Sequence, residues 1–254
     1  MSGRVRTALL VLAGLVLVWP VWRVASALPP FGAPTAAYGT TVDRLGPPLR
    51  HVSNMVSAVN FDFRGLDTLG EEYMLLCAVT GAVLLLRGTR GEDSGDRAVR
   101  LPGRPHEDAS DAITLVGRLF GPLTILFGLY MVLHATVSPG GGFQGGVVIA
   151  SGLVFVYLGE GYRPWRRAVP SRVFELMEGF GAFLFALAGL WPLVCGKAFM
   201  ENILPLGKFR DMLSGGLMLV ENIGVAFAVT GGFANLFLEF MEETRAPKKE
   251  EKAE

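Results

Sequence analysis

The chain has 254 residues, 51% of them hydrophobic and 18% charged, with a mean hydropathy of +0.42 and a formal net charge of zero. Zero net charge offers no acidic or basic bias toward a nucleic-acid partner. The charges gather in short islands between apolar runs long enough to cross a bilayer, which excludes a soluble globular domain. The expectation is an all-α, polytopic integral membrane protein with about six transmembrane helices, in contact with the lipid bilayer. Cys77 and Cys195 lie within or at the end of apolar runs, without metal spacing, and read as small apolar residues. With no cysteine cluster, flavin motif or nucleotide motif, no metal or cofactor is expected.

In chain order, Arg4 and Arg6 precede an apolar run from Ala8 to Trp22. The run exceeds a usual signal core, and Trp19, Trp22 and Arg23 resemble interfacial anchors, so it reads as a retained helix over residues 7–28. Prolines and glycine from Pro29 break it, and a polar segment to Arg50 reads as an extended external loop. Over His51–Asn60, Val52, Met55, Val56 and Val59 fall at helical spacing, as in a short amphipathic helix lying at the interface.

The next span opens at Asp62-Phe-Arg64-Gly-Leu-Asp67-Thr-Leu-Gly-Glu71-Glu72. Its uncharged run, Tyr73–Leu86, covers roughly 21 Å of a hydrocarbon core about 30 Å thick. The deficit draws Glu71 and Glu72 toward membrane depth, facing protein. The alternative is that Asp67 or Thr68 caps the helix and the glutamates favour its positive end. Residues 88–110 form a charged, glycine-rich cytoplasmic linker. A third helix, capped by Ser110 or Asp111, reaches about Val137 and carries His134 in its last turns.

Ser138-Pro139-Gly140-Gly141-Gly142-Phe143-Gln144-Gly145-Gly146 follows. Pro139 should end the preceding helix, while the glycines permit a tight turn and close approach of other helices. An imidazole (His134) and an amide (Gln144) flank this turn at membrane depth, where titratable groups are functional candidates. A helix over 143–160 ends in a basic, aromatic border, Arg163, Trp165, Arg166 and Arg167, read as an anchor. Another starts near Ser171 and reaches Cys195, with Glu175 and Glu178 expected at the interface. The last, over 214–240, holds Glu221 and Asn222 among apolar residues; a carboxylate there should face protein. Residues 242–254 are a mixed-charge tail, read as disordered.

The stretch from His134 to Gly146 resembles the signature of the B-type subunit of multisubunit, Mrp-type sodium/proton antiporters, the MnhB domain. Thr136 stands where that family pattern often has a second His. Leu204-Pro-Leu-Gly207 and Ser214-Gly-Gly216 are similar to further features of MnhB. Asp62 to Glu71 resembles the E-type subunit of membrane-bound hydrogenases, and also the carboxy-terminal part of the large A-type antiporter subunit. The resemblances imply residues 1–87 as an A/E-like piece, a linker at 88–110 and a four-helix MnhB-like domain over 111–241. They also imply other antiporter-complex membrane subunits as partners, with sodium ions and protons as the transported species. Asp67, Glu71, Glu72, His134 and Glu221 are the ion- or proton-path candidates. Arg64 and Pro139–Gly146 are read as structural motif.

Basic residues orient the chain. With both termini cytoplasmic in the cell (inner) membrane, Arg4, Arg6, the linker arginines, Arg163, Arg166, Arg167, Arg172 and the tail bases lie inside. The outer side receives fewer: Arg44, Arg50, Arg64, Lys197, Lys208 and Arg210. The glycine-rich turn and the Asp62–Glu72 segment then share the external side and could contribute to one site. The function expected is an accessory, non-enzymatic transporter subunit. The alternative is an antiporter-module subunit of a redox-driven complex such as a membrane-bound hydrogenase.

Overall fold

The computed structural model describes residues 3–28, 32, 37–89, 110–161, 165 and 170–241. Most of the linker, the tail, and Arg163, Arg166 and Arg167 lie outside the described residues. The regular structure within them is helical throughout, with no strand. The elements are α1 (Gly3–Ser26), α2 (Ala37–Arg50), α3 (Met55–Ala58) running into a π-helical turn (Val59–Phe63), α4 (Gly65–Thr89), α5 (Asp111–Leu133), α6 (Gly142–Glu160), α7 (Ser171–Val194) and α8 (Leu217–Met241). Six of them, α1 and α4 to α8, are long and apolar enough to cross a membrane. The protein is therefore an all-α polytopic membrane protein.

Packing divides the chain into Met1–Thr41 and Val42–Glu254. In the first unit α1 is apolar on all sides, and its spanning window contains no buried residue. Trp19 and Trp22 are exposed, as expected of side chains that meet lipid or another polypeptide.

In the second unit α8 is the central helix. Its spanning window is 72% buried, and α7, α6 and α4 all pack on it, while α5 packs chiefly on α6. Small residues set the spacing. Gly117 faces Gly159, Gly121 faces Gly152 and Val156, and Gly128 faces Gly145 along the α5–α6 seam. Gly181 of α7 lies on Gly224 and Ala228 of α8. At one end of the α5–α6 seam Arg118 Nε donates to Glu160 Oε1 at 2.5 Å in an exposed ion pair. Because such a pair is solvated, Glu160→Gln should change thermal stability by less than about 1 kcal/mol, readable as a melting shift in detergent.

Several expectations need correction. The segment before Arg50 is a helix, α2, and not an extended loop, because Val42 and Gly46, one turn apart, form a buried face. Residues 51–54 are not helical: His51 adopts φ 56°, and Asn54 instead caps α3. This stretch is not interfacial either. Val52, Ala58 and Phe61 form a core with Phe185, Met218, Val225 and Val229. α4 starts at Gly65, so Glu71 and Glu72 belong to its second turn and its length spans without the shortfall inferred from the uncharged run. α5 ends at Leu133 with His134 as its C-cap, six residues before Pro139, so the proline does not terminate it. Trp165 is 1% exposed, packed on Phe174, Ala234 and Leu238 with Tyr157 edge-on at 5.4 Å; it is core, not a lipid-facing anchor. Glu178, expected at the interface, is buried.

Candidate functional site

The glycine-rich turn is held by the loop that precedes α3. Backbone N–H groups of Ser53 and Asn54 donate to the Thr136 carbonyl at 3.1 and 3.2 Å. The Ser53 hydroxyl donates to Val137 O and the Ser57 hydroxyl to Ala135 O, each at 2.6 Å. Asn54 does most. Its Oδ1 accepts from Val56 N–H at 3.1 Å, capping α3, while its Nδ2 lies within 3.1 Å of the Ala135, Ser138 and Gly140 carbonyls. Those carbonyls follow the end of α5, where no further helical turn supplies donors.

Gly140 and Gly141 adopt φ of 145° and 156°, which side-chain-bearing residues rarely do. They bring the chain into α6 with no side chain of its own at the N-cap. The first donor of α6 is satisfied from elsewhere: Gly142 N–H donates to Asn222 Oδ1 of α8 at 2.9 Å. Asn222 is itself fixed by donating from Nδ2 to Met218 O at 3.0 Å.

Between these elements lies a cleft of about 200 Å³. Its polar lining comes from Ser57, Asn60, Thr68, Glu71 and Gln144 with the backbone of Gly140 and Gly141, and its apolar lining from Val56, Phe61, Phe143 and Val225. Thr68 donates to Asn60 O at 2.7 Å, tying the π-turn to α4. The structure thus brings the carboxylate of Glu71 and the amide of Gln144 into one cavity from two segments more than seventy residues apart.

The other sequence candidates lie elsewhere. Asp67 and Arg64 form an exposed ion pair. His134 packs at a tilt against Tyr130, ring centroids 4.0 Å apart, with its Nδ1 3.0 Å from Tyr130 O, and does not line the cleft. Thr136 is buried and donates to Met212 O at 3.2 Å. Glu72 is 1% exposed and Glu221 0%, and neither carboxylate has a hydrogen-bond partner. Beside Glu221 lies a network not foreseen from sequence. Arg50 Nε pairs with Asp62 Oδ1 at 2.6 Å, and Asn202 Nδ2 donates to Asp62 Oδ2 at 3.1 Å. Asn202 Oδ1 accepts from Leu217 N–H at 2.9 Å, at the start of α8, and the charge of Asp62 reaches Glu221. Asn54, Ser57 and Asn60 also went unrecognised. An Asn directly before an apolar helical pattern was the available signal for Asn54. Nothing in the sequence announces the carbonyls it serves.

Residues 112–235 match the model of a domain related to the MnhB subunit of Na+/H+ antiporters. The chain carries an MnhB domain. The cleft is therefore lined partly by that domain and partly by residues 56–71 before it. Among relatives, the Na(+)/H(+) antiporter B subunit of Bacillus subtilis is 29% identical over 118 residues, covering 45% of this chain and 80% of that protein. A probable K(+)/H(+) antiporter A/B subunit of Rhizobium meliloti is 25% identical over 226 residues. That match takes in 79% of this chain but only 22% of the relative. Two solved structures share the fold, each with a TM-score of 0.71. One is a chain of the membrane-bound sulfane sulfur reductase, an archaeal respiratory membrane complex, 26% identical over 94% of this chain and 99% of that one. The other belongs to the Mrp complex of Dietzia sp. DQ12-45-1b, 24% identical over 98% of this chain and 27% of that one.

Proposed function

We propose that this protein is an accessory transmembrane subunit of an Mrp-type multisubunit cation (sodium)/proton antiporter, contributing to the ion or proton path and to assembly. The observation that carries this reading is the cleft in which Glu71, from the segment before the MnhB domain, meets the domain's glycine-rich turn. A carboxylate opening into a polar cavity within a spanning helix can take up and release a proton or a cation. Gln144 is placed to orient a water beside it. Glu72 and Glu221, buried without hydrogen-bond partners, are carriers further in, and Asp67 and His134 are candidates at the margin. Residues 1–87 constitute an A/E-like piece joined through 88–110 to the MnhB domain. Both termini face the cytoplasm, the side that the distribution of basic residues favours.

Glu71→Gln keeps the shape of the side chain and removes its ionisable proton. In membrane vesicles containing the assembled complex, it should lower cation-dependent proton exchange at least tenfold while the protein still co-purifies with its partners. Exchange at the wild-type rate would take Glu71 out of the path.

The likeness along almost the full length of a sulfane sulfur reductase chain favours a second reading, in which the same module serves a redox-driven complex. Purification from native membranes in mild detergent separates the two. Large antiporter-like subunits alone indicate secondary exchange, whereas iron–sulfur proteins in the preparation indicate a redox-driven pump.

A further inference from the structure

Around α8 the bundle leaves two gaps. One, between α7 and the α5–α6 pair, is an apolar groove of about 180 Å³ lined by Leu129, Ile149, Met177 and Phe227, where the Thr230 hydroxyl is already donated to Gly146 O at 3.5 Å. Lipid tails satisfy such a surface. The other gap is the cleft, between α4 and α6. α4 packs on α8 and α7, and α6 on α8 and α5, with no comparable seam joining α4 to α6. The cleft thus opens sideways between two spanning helices, and Glu71, Phe143 and Gln144 on its walls are all exposed. Among the described residues, no hydrogen bond or ion pair reaches the Glu71 carboxylate or the Gln144 amide. Arg64, the base nearest in sequence, is engaged with Asp67.

The open surface continues along α4. Gly70, Glu71, Met74, Cys77, Ala78 and Gly81 recur every three or four residues and share one face of the helix. Met74 is 66% exposed, Cys77 and Ala78 are exposed, and a Cβ at Gly70 or Gly81 would meet nothing within 4 Å. The glycines of the α5–α6 and α7–α8 seams, by contrast, lie against the main chain of a neighbouring helix. Small residues let a second helix approach closely, and a carboxylate on a spanning helix is costly unless protein of complementary charge covers it. We propose that a transmembrane helix of a partner subunit lies in the gap between α4 and α6, packed on the Gly70–Gly81 face and presenting a Lys, Arg or His side chain to Glu71. Charge decides the occupant. An acyl chain offers neither Glu71 nor Gln144 a donor, whereas a cationic side chain can donate to both. Water above and lipid below would serve the charge and the apolar residues separately, but neither gains from the room that the two glycines leave. The partner helix supplies the wall that the cleft lacks. The proposal rests on the accessory-subunit reading for the existence of a partner, and on the surface of α4 for its place.

The test cross-links the assembled complex in its native membrane and so stands apart from any measurement of exchange. The photoreactive residue p-benzoyl-phenylalanine replaces Met74, whose exposure lets it change without disturbing the core. After irradiation the adducts are identified by mass spectrometry. The expected product is a covalent link to a transmembrane segment of another subunit, and that segment carries a Lys, Arg or His. Adding Gly81→Leu, which meets nothing within this chain, should lower both that product and the recovery of the partner several-fold, while the chain reaches the membrane in the usual amount. Lipid adducts alone, in a complex that keeps its other subunits, overturn the proposal and leave the accessory-subunit reading standing. A link to another segment of this chain or to a second copy overturns it as well, as does a linked segment without a basic residue. Undiminished cross-linking in Gly81→Leu counts against the packed face. Recovery of the chain from native membranes without any partner overturns both the proposal and the reading beneath it.

Discussion

Gly142→Val should prevent α6 from seating on α8, and with it the stable accumulation of the protein. A Cβ at Gly142 meets the backbone of Asn222, and the Ala226 nitrogen lies 2.9 Å from it. Backbone cannot rotate aside as a side chain can, so the start of α6 would have to move away. That movement breaks the Gly142–Asn222 hydrogen bond and opens the packing of Gly146 on Val229. Overpacking alone costs about 1–3 kcal/mol, and a buried amide acceptor left unmet adds about 1–3 kcal/mol. Melting in detergent and recovery of partner subunits measure the effect. Gly179→Ala is the comparison, because a Cβ there meets nothing within 4 Å and the added helix propensity is favourable. Equal melting of the two variants would show that close approach at Gly142 does not hold the fold.

Asn54→Ala is expected to cost about 2–4 kcal/mol, the sum of a lost helix cap and of carbonyls deprived of their donor. Ala135, Ser138 and Gly140 present those carbonyls at the turn that forms the cleft wall. Asn54→Asp distinguishes the two contributions. Aspartate keeps the capping oxygen but sets a carboxylate against three carbonyl oxygens. It should be no more stable than the alanine variant, and its turn should be cut faster by protease. An aspartate variant close to wild type would mean that capping, and not the bracing of the turn, is what Asn54 supplies.

Much of this architecture was legible because bilayer-length apolar runs are among the least ambiguous patterns in a sequence. The five later spans and the glycine-rich turn fall close to where residue patterns place them. What stayed hidden depends on partners distant in the chain. Val52 and Trp165 look like boundary residues until α8 covers them, since periodicity cannot say whether an apolar face meets lipid or protein. α2 reads as a loop because its two glycines and two prolines outweigh a buried face only one turn long. At the site, Glu71 and Gln144 could be named from local chemistry. The Arg50–Asp62–Asn202 network and the Glu178–Asn235 contact join residues 12, 140 and 57 positions apart, and no spacing rule reaches them.

The seam between α5 and α6 limits how this protein can move. Glycines of each helix rest directly against the backbone of the other at successive levels, from Gly117–Gly159 to Gly128–Gly145. A shift of one residue along the seam would drive the β-carbons of flanking residues into main chain, so the pair cannot slide like two greased rods. Of the two common modes of helix rearrangement, shear is closed to it and hinging remains. α5 and α6 are thereby locked together as one unit, with the braced turn at its end. A change in the shape of the cleft would therefore come from α4 or from the contact of that pair with α8.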